Sequence, residues 1–136
     1  LVAGHQALEA GPEIVGVAVS RKDEGYEGRC AALANASLAW LGSDVRVTAD
    51  DFTVDRGYFE PGYEQPNEAA NEAIRLLART EGLLTDPVYT GKALAGLLDH
   101  IRTGKICSGE TVVFWHTGGA TALFAEQAIL GNLADK

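Results

Sequence analysis

The chain contains the stretch Thr111-Val-Val-Phe-Trp-His-Thr-Gly-Gly-Ala120, which decides the fold prediction. The apolar run over residues 111–116 predicts a strand buried on both faces, because such runs are typical of parallel sheets that helices cover. The glycines after it predict a turn, and residues 121–130 predict a helix that follows at once. Strand, glycine turn and helix form the unit from which doubly wound α/β proteins are built.

The amino-terminal part of the chain predicts the same alternation. A helix is expected over residues 1–10, ended by Gly11-Pro12. The apolar residues 13–20 predict another strand buried on both faces. A second helix is expected to begin near Ser20 and to end at Gly42.

The middle of the chain predicts a loop between helices. Turn residues are dense over residues 57–66, which predicts an irregular loop of the kind that often carries function. Amphipathic helices are predicted over residues 67–80 and 90–102. We therefore expect one α/β domain over residues 1–136, with a doubly wound, mostly parallel sheet.

Composition and charge argue against several kinds of partner. The 136 residues include 11 basic and 19 acidic ones, giving a formal charge of −8, so nucleic-acid binding is not expected. No apolar run is long enough to span a membrane. Neither the histidines nor Cys30 and Cys107 form a cluster with metal-ligand spacing, so no metal is expected. The two cysteines show no disulfide pattern, so we expect them to be reduced and the protein to be cytoplasmic.

Four residues, two at the glycine turn and two at the start of the helix predicted over residues 90–102, are candidate site residues. Ligands of open α/β sheets bind beyond the carboxyl ends of strands, where Thr117 stands beside Gly118. The turn Asp86-Pro87-Val88 places Tyr89 and Thr90 at the start of a helix. Each has a purely structural alternative, since a threonine at such a position caps a helix and a tyrosine packs its ring in a core.

These motifs resemble the pyridoxal-phosphate enzymes of the D-cysteine desulfhydrase and 1-aminocyclopropane-1-carboxylate deaminase family, which have the tryptophan synthase β-like fold, fold type II. The resemblance is carried by residues 87–96 and 112–124 and runs over nearly the whole chain. It implies pyridoxal phosphate as cofactor, bound by Thr117, Thr90, Tyr89 and Gly118. It also implies a catalytic pair formed by Tyr89 and by Tyr63 of the Gly62-Tyr-Glu-Gln-Pro66 loop, although Tyr63 has the alternative of a ring packed on the surface.

The resemblance also implies that parts of the enzyme are missing. In the family, the lysine that bonds to the cofactor and the phosphate-binding loop precede the part that this chain matches. The chain contains no methionine, which also favours an incomplete chain. The resemblance implies that it is the carboxyl-terminal portion of a larger homodimeric enzyme, inactive without its amino-terminal segment. Lys92 is not expected to replace the missing lysine, and its ammonium is predicted to be solvated.

The reaction is inferred from two positions at which the family's branches differ. The deaminase branch has glutamate at the position of Thr90 and leucine at that of Thr117. A carboxylate beside the pyridine nitrogen keeps it protonated, whereas a hydroxyl leaves it closer to neutral, which suffices for expelling a thiolate. The expected function is therefore a carbon–sulfur lyase that converts D-cysteine to pyruvate, sulfide and ammonia. The alternatives are L-cysteate sulfo-lyase, 1-aminocyclopropane-1-carboxylate deaminase and, from another class, a non-catalytic ligand-binding or assembly module.

Overall fold

A computed structural model describes residues 1–125. Their helices and strands follow in the order α1 (Val2–Leu8), β1 (Val15–Val17), α2 (Tyr26–Trp40), β2 (Thr53–Asp55), α3 (Glu68–Glu81) and α4 (Thr90–Arg102), with 3₁₀ helices at Ala49–Asp51 and Ala120–Ala125. They belong to two compact units. The first contains Leu1–Ala18 and Lys22–Arg56, and the second contains Val19–Arg21 and the described chain from Gly57 onward. No helix within residues 1–125 is long and apolar enough to cross a membrane.

The first unit contains a parallel pair of strands, which confirms the expected α/β class. β1 pairs with β2 in the register Val15 with Thr53 and Val17 with Asp55. The expectation that β1 is buried on both faces is wrong, because Val15 is 42% exposed. The sheet described here has two strands, so it offers β1 a neighbour on one side and little cover on its faces.

Helix α2 begins later than predicted, for a local electrostatic reason. The Asp23 carboxylate accepts the Gly25 N–H at 2.9 Å and pairs with the Arg29 guanidinium at 2.9 Å. These bonds hold residues 23–25 in a turn, and the helix starts at Tyr26 rather than near Ser20. The helix then contributes to a core formed by Ala31, Leu38 and Val47.

The second unit is built on α3 and α4, which confirms the helices predicted over residues 67–80 and 90–102. The Asn67 side chain accepts the Ala70 N–H at 2.7 Å and so caps the start of α3. Gly82, with φ 68°, ends it in the left-handed conformation that glycine adopts without strain. The helices enclose a core formed by Ala73, Leu94 and Ala95, with Phe114 packed against it.

The strand predicted over residues 111–116 is wrong, since these residues form no strand in the structure. Val113 is 70% exposed and Trp115 is 64% exposed. A strand requires neighbours that take up its backbone hydrogen bonds, and the described part of the second unit has no other strand. The helix predicted over residues 121–130 is replaced by the 3₁₀ helix Ala120–Ala125, and residues 126–130 lie outside the described residues.

Candidate active site

The start of α4 is organised by Asp86, a residue that the sequence analysis did not select. Its side chain is almost fully buried, and its carboxylate accepts the backbone N–H groups of Val88, Tyr89 and Thr90 at 2.8, 2.7 and 2.8 Å. Negative charge is favourable at a helix amino terminus, where these N–H groups have no partner within the helix. The signal in the sequence was an aspartate followed by proline just before a predicted helix.

The hydrogen bonds to Asp86 also determine its charge state. Burial raises the pKa of Asp86, but the bonds from the Thr90 hydroxyl and from the three N–H groups outweigh burial and leave that pKa below its usual range. Asp86 is therefore an anion at neutral pH. Its role is to hold the turn that presents Tyr89 and Thr90.

Thr90 lies inside the protein rather than on its surface. It is 2% exposed, and its hydroxyl donates to Asp86 Oδ1 at 2.6 Å and accepts the Asp86 N–H at 3.0 Å. The same oxygen lies 3.5 Å from the Gly118 carbonyl oxygen. Because the one proton of that hydroxyl is used on Asp86, this approach is a packing contact between the start of α4 and the glycine turn, and a contact of Thr90 with a cofactor ring stays a prediction.

His116 holds the glycine turn in place from its other side. Its Nδ1 accepts the Gly118 N–H at 3.0 Å, so its Nε2 carries the proton and donates to the Leu84 carbonyl at 2.8 Å. Gly118 and Gly119 have φ 103° and 86°, a region that favours glycine. A Cβ at Gly119 would lie 2.8 Å from Asp86 Oδ1, so the turn sits directly on that carboxylate.

Thr117 differs from Thr90 in being exposed. Within residues 1–125 its hydroxyl makes no hydrogen bond, and so it is free to donate to a ligand. The neighbouring Gly118 presents backbone without a side chain beside this hydroxyl. Thr117 therefore sits at the open edge of the turn that His116 holds by hydrogen bonds and that packs against Thr90.

Tyr63 and Tyr89 form a direct phenol–phenol hydrogen bond. Their ring centroids are 6.0 Å apart and the ring planes meet at 62°, an edge-to-face arrangement. The bond with Tyr89 raises the pKa of Tyr63 to about 12. Neither ring is buried in the core, since Tyr63 is 47% and Tyr89 45% exposed.

Lys92 contradicts the prediction of a solvated ammonium. Its side chain is fully buried, and its Nζ donates to the carbonyl oxygens of Phe59 and Gly62 at 3.2 and 2.7 Å. The loop over residues 57–66 covers this side of α4, and its carbonyl oxygens replace the water that the ammonium loses. Burial lowers the pKa of Lys92, and the Glu60 carboxylate opposes that shift.

The structure thus brings together candidates from three separate parts of the sequence. The Tyr63 loop is bonded to Tyr89, and the Gly118–Gly119 turn packs against Thr90 and Asp86 at the start of α4. The described residues contain no group of three or more His, Cys, Asp or Glu placed to hold a metal ion. The donors on offer are hydroxyl groups and backbone amides.

Comparisons with known proteins agree on one family. Residues 1–118 match the model of a family described as pyridoxal-phosphate dependent enzymes. The D-cysteine desulfhydrase of Yersinia pestis (strain Pestoides F) is 46% identical over 125 residues, which cover 92% of this chain and 37% of the relative. That of Salmonella typhi is 45% identical over the same shares. The chain therefore spans about 37% of the length of these relatives.

A solved structure extends the agreement to the fold. The crystal structure of a protein described as an ACC deaminase homologue matches with a TM-score of 0.77 and 31% identity, over 95% of this chain and 38% of that one. The expected fold type and cofactor class are confirmed by these matches. The chemistry of the site fits that cofactor, because the unbonded Thr117 hydroxyl beside a backbone without side chains offers a donor for the edge of a flat heteroaromatic ring.

Proposed function

This chain belongs to the family of pyridoxal-phosphate dependent enzymes, and on that premise we propose that the protein of which it forms a part is a carbon–sulfur lyase acting on D-cysteine. The products are pyruvate, sulfide and ammonia. Relatives named D-cysteine desulfhydrase support the substrate. The observation that carries the proposal is the hydrogen bond between Tyr63 and Tyr89 beside a helix start against which the Gly118–Gly119 turn packs.

Thr117 is proposed to bind the pyridine nitrogen of the cofactor. When bound, pyridoxal phosphate supplies an electron sink for negative charge that develops on the substrate. The Thr117 hydroxyl donates a neutral hydrogen bond and leaves the ring less electron-poor than a carboxylate partner would. Thiolate is a good leaving group, so its elimination proceeds with this weaker sink.

The tyrosine pair is proposed to bind the substrate and to move a proton. A phenol whose pKa is about 12 keeps its proton at neutral pH. Two phenols carry two protons, and the bond between Tyr63 and Tyr89 uses one of them. The other proton remains available for an outside acceptor, such as the substrate carboxylate or the departing sulfur.

The alternatives from the same family differ in the substrate. A deaminase acting on 1-aminocyclopropane-1-carboxylate is favoured by the ACC deaminase homologue as a structural neighbour, and opposed by Thr90 and Thr117, which replace the glutamate and leucine of that branch. L-Cysteate sulfo-lyase remains the second alternative, with sulfite as the leaving group. A non-catalytic binding or assembly module is the alternative from another class.

One assay separates these functions. The cofactor-loaded protein is incubated with D-cysteine, L-cysteate or 1-aminocyclopropane-1-carboxylate, and sulfide, sulfite, pyruvate and ammonia are measured. Equal amounts of sulfide and pyruvate from D-cysteine support the proposal. Sulfite from L-cysteate alone, ammonia from the cyclopropane substrate alone, or no turnover at all would select the corresponding alternative.

Variants test whether the tyrosine pair takes part. Tyr89→Phe removes one phenol, and we expect a loss of about a hundredfold in D-cysteine turnover if Tyr89 moves a proton. Tyr26→Phe in α2 is the matched control, because it makes the same change in the other unit. Equal turnover by both variants would remove Tyr89 from the mechanism.

The compartment and the assembly of the protein are proposed separately. Cys30 and Cys107 are free thiols, which supports a reducing compartment such as the cytoplasm. A homodimer is proposed from the family resemblance. Light scattering of the purified protein measures the assembly, and cell fractionation measures the compartment.

A further inference from the structure

Lys92 has no role in the proposed reaction, yet its side chain is fully buried beside the Tyr63 loop. A buried ammonium persists only where hydrogen-bond acceptors replace its hydration. Lys92 finds these acceptors in the Phe59 and Gly62 carbonyls, 33 and 30 residues before it in the chain. The bonds therefore tie the loop over residues 57–66 to the first turn of α4.

Of the two bonds, the one to the Gly62 carbonyl affects Tyr63 most directly. The Gly62 carbonyl belongs to the planar peptide unit that ends at the Tyr63 Cα. A short bond of 2.7 Å from the Lys92 Nζ therefore fixes the plane from which the Tyr63 side chain departs. One bond to the backbone thus restricts where the Tyr63 phenol can reach.

Both tyrosines are consequently held at the start of α4. Tyr89 immediately precedes α4, and Lys92 is three residues later, so they lie on one side of the helix start. Tyr63 is connected to this end twice, through its phenol to Tyr89 and through its peptide to Lys92. Two connections define the ring position more closely than one exposed hydrogen bond between phenols would.

A second side chain holds the first half of the loop. The Asn67 amide donates to the Glu60 carbonyl at 2.7 Å and to the Tyr58 carbonyl at 3.3 Å. Asn67 thereby attaches the loop to the start of α3, whereas Lys92 attaches it to α4 at Phe59 and, beyond the reach of Asn67, at Gly62. Removing Lys92 would leave the loop in place at one end and free the part that carries Tyr63.

We propose that Lys92 is a positioning residue, which sets the Tyr63 phenol beside Tyr89 by holding the Phe59 and Gly62 carbonyls. Its role in turnover rests on the proposed function of the tyrosine pair, but its role in placing Tyr63 does not. The readout is therefore taken from the Tyr63 phenol itself and requires neither substrate nor cofactor.

The experiment places 3-fluorotyrosine at position 63 and follows its titration by fluorine NMR. The ring fluorine lowers the phenol pKa, so the titration is completed at a milder pH. Lys92→Met keeps the length of the side chain and removes the charge and all donors. We expect the Tyr63 phenol to titrate at lower pH in K92M, because its bond with Tyr89 is weakened.

Leu94→Ala is the matched control for a merely structural role. Leu94 lies on the same helix in the core with Ala73 and Ala95, so L94A lowers stability without touching the loop carbonyls. An unchanged Tyr63 titration in folded K92M would overturn the proposal, and so would an equal shift in L94A. If K92M does not fold, Lys92→Leu takes its place, since leucine also carries neither charge nor donor, and the same outcomes apply. Failure of D-cysteine turnover would count against the proposed function alone.

Discussion

Asp86 and Thr90 form a closed hydrogen-bonded pair, in which the Thr90 hydroxyl donates to the Asp86 carboxylate at 2.6 Å and accepts the Asp86 N–H at 3.0 Å. The pair is buried, and it stands between the tyrosines and the glycine turn. Its geometry fixes the start of α4, from which Tyr89 extends. The position of Tyr89 and the charge of Asp86 both depend on this pair.

Replacing Asp86 by asparagine should destabilise the protein. One carboxylate oxygen becomes an NH₂ group that faces N–H donors of the α4 start, which leaves buried donors unpaired. We expect the free energy of unfolding to fall by about 1–3 kcal/mol. Urea unfolding measures it, with Asp44→Asn as control because Asp44 is exposed. Equal stability of the two variants would show that the Asp86 hydrogen bonds contribute little.

Because Asp86 is charged, the free energy of unfolding should depend on pH in the acid range. The pKa of Asp86 is lower in the folded protein than its ordinary value of 3.8, so its stabilisation is complete above that value and is lost as the pH falls through the folded pKa. The difference in unfolding free energy between the unchanged protein and D86N should therefore be constant near neutral pH and shrink below 3.8. Asp23 and Glu27 also have lowered pKa values, but they titrate in both proteins, so their contributions cancel in the difference. A difference that stays constant into strong acid would contradict this assignment.

Two glycines in helices should respond to alanine in opposite directions. A Cβ at Gly91 in α4 would lie 2.5 Å from the Asp86 carbonyl oxygen and 2.9 Å from Ile74 Cδ1, whereas Gly28 in α2 has nothing within 4 Å. Gly91→Ala should cost about 1–3 kcal/mol through overpacking. Gly28→Ala should add about 0.5–1 kcal/mol because alanine favours the helix. Thermal unfolding of both proteins gives the two signs, and a stabilised G91A would mean that α4 is not held this closely.

These contacts show which features the sequence could predict. Asn67 and Gly82 mark the ends of α3 through local preferences, so the periodic pattern between them sufficed. The burial of Lys92 depends on carbonyl oxygens about 30 residues away, and no local pattern reports them. The apolar residues 111–116 show that hydrophobicity gives the potential to form a strand, while a strand also needs neighbours in space. Tyr63 was selected by resemblance, and its bond with Tyr89 could not be inferred without the fold.

Lys92 should not react with the cofactor. Its Nζ is buried and bonded to two carbonyls, so no free amine is presented to an aldehyde. We expect borohydride reduction in the presence of pyridoxal phosphate, followed by peptide mapping, to leave Lys92 unmodified. Lys105 is the internal comparison, since it is exposed. A reduced adduct on Lys92 would show that the loop opens and would make Lys92 a candidate cofactor lysine.

Thr117 allows the electronic argument to be tested without disturbing the core. Its side chain is exposed, so Thr117→Leu removes the hydroxyl at little cost in stability. Thr90→Glu, the other half of the deaminase pattern, would instead place a second carboxylate against buried Asp86 and destabilise α4. Thr117 is therefore the position at which loss of activity can be interpreted.

In the cofactor-loaded protein, T117L should release sulfide from D-cysteine about tenfold more slowly, because one hydrogen bond to the ring nitrogen is worth about 1.4 kcal/mol or less. Thr117→Ser keeps the hydroxyl and should retain most of the rate. The affinity for pyridoxal phosphate, measured by its absorbance, should fall in T117L and not in T117S. Full activity and affinity in both variants would mean that the Thr117 hydroxyl does not contact the ring, and that the preference for thiolate elimination has another origin.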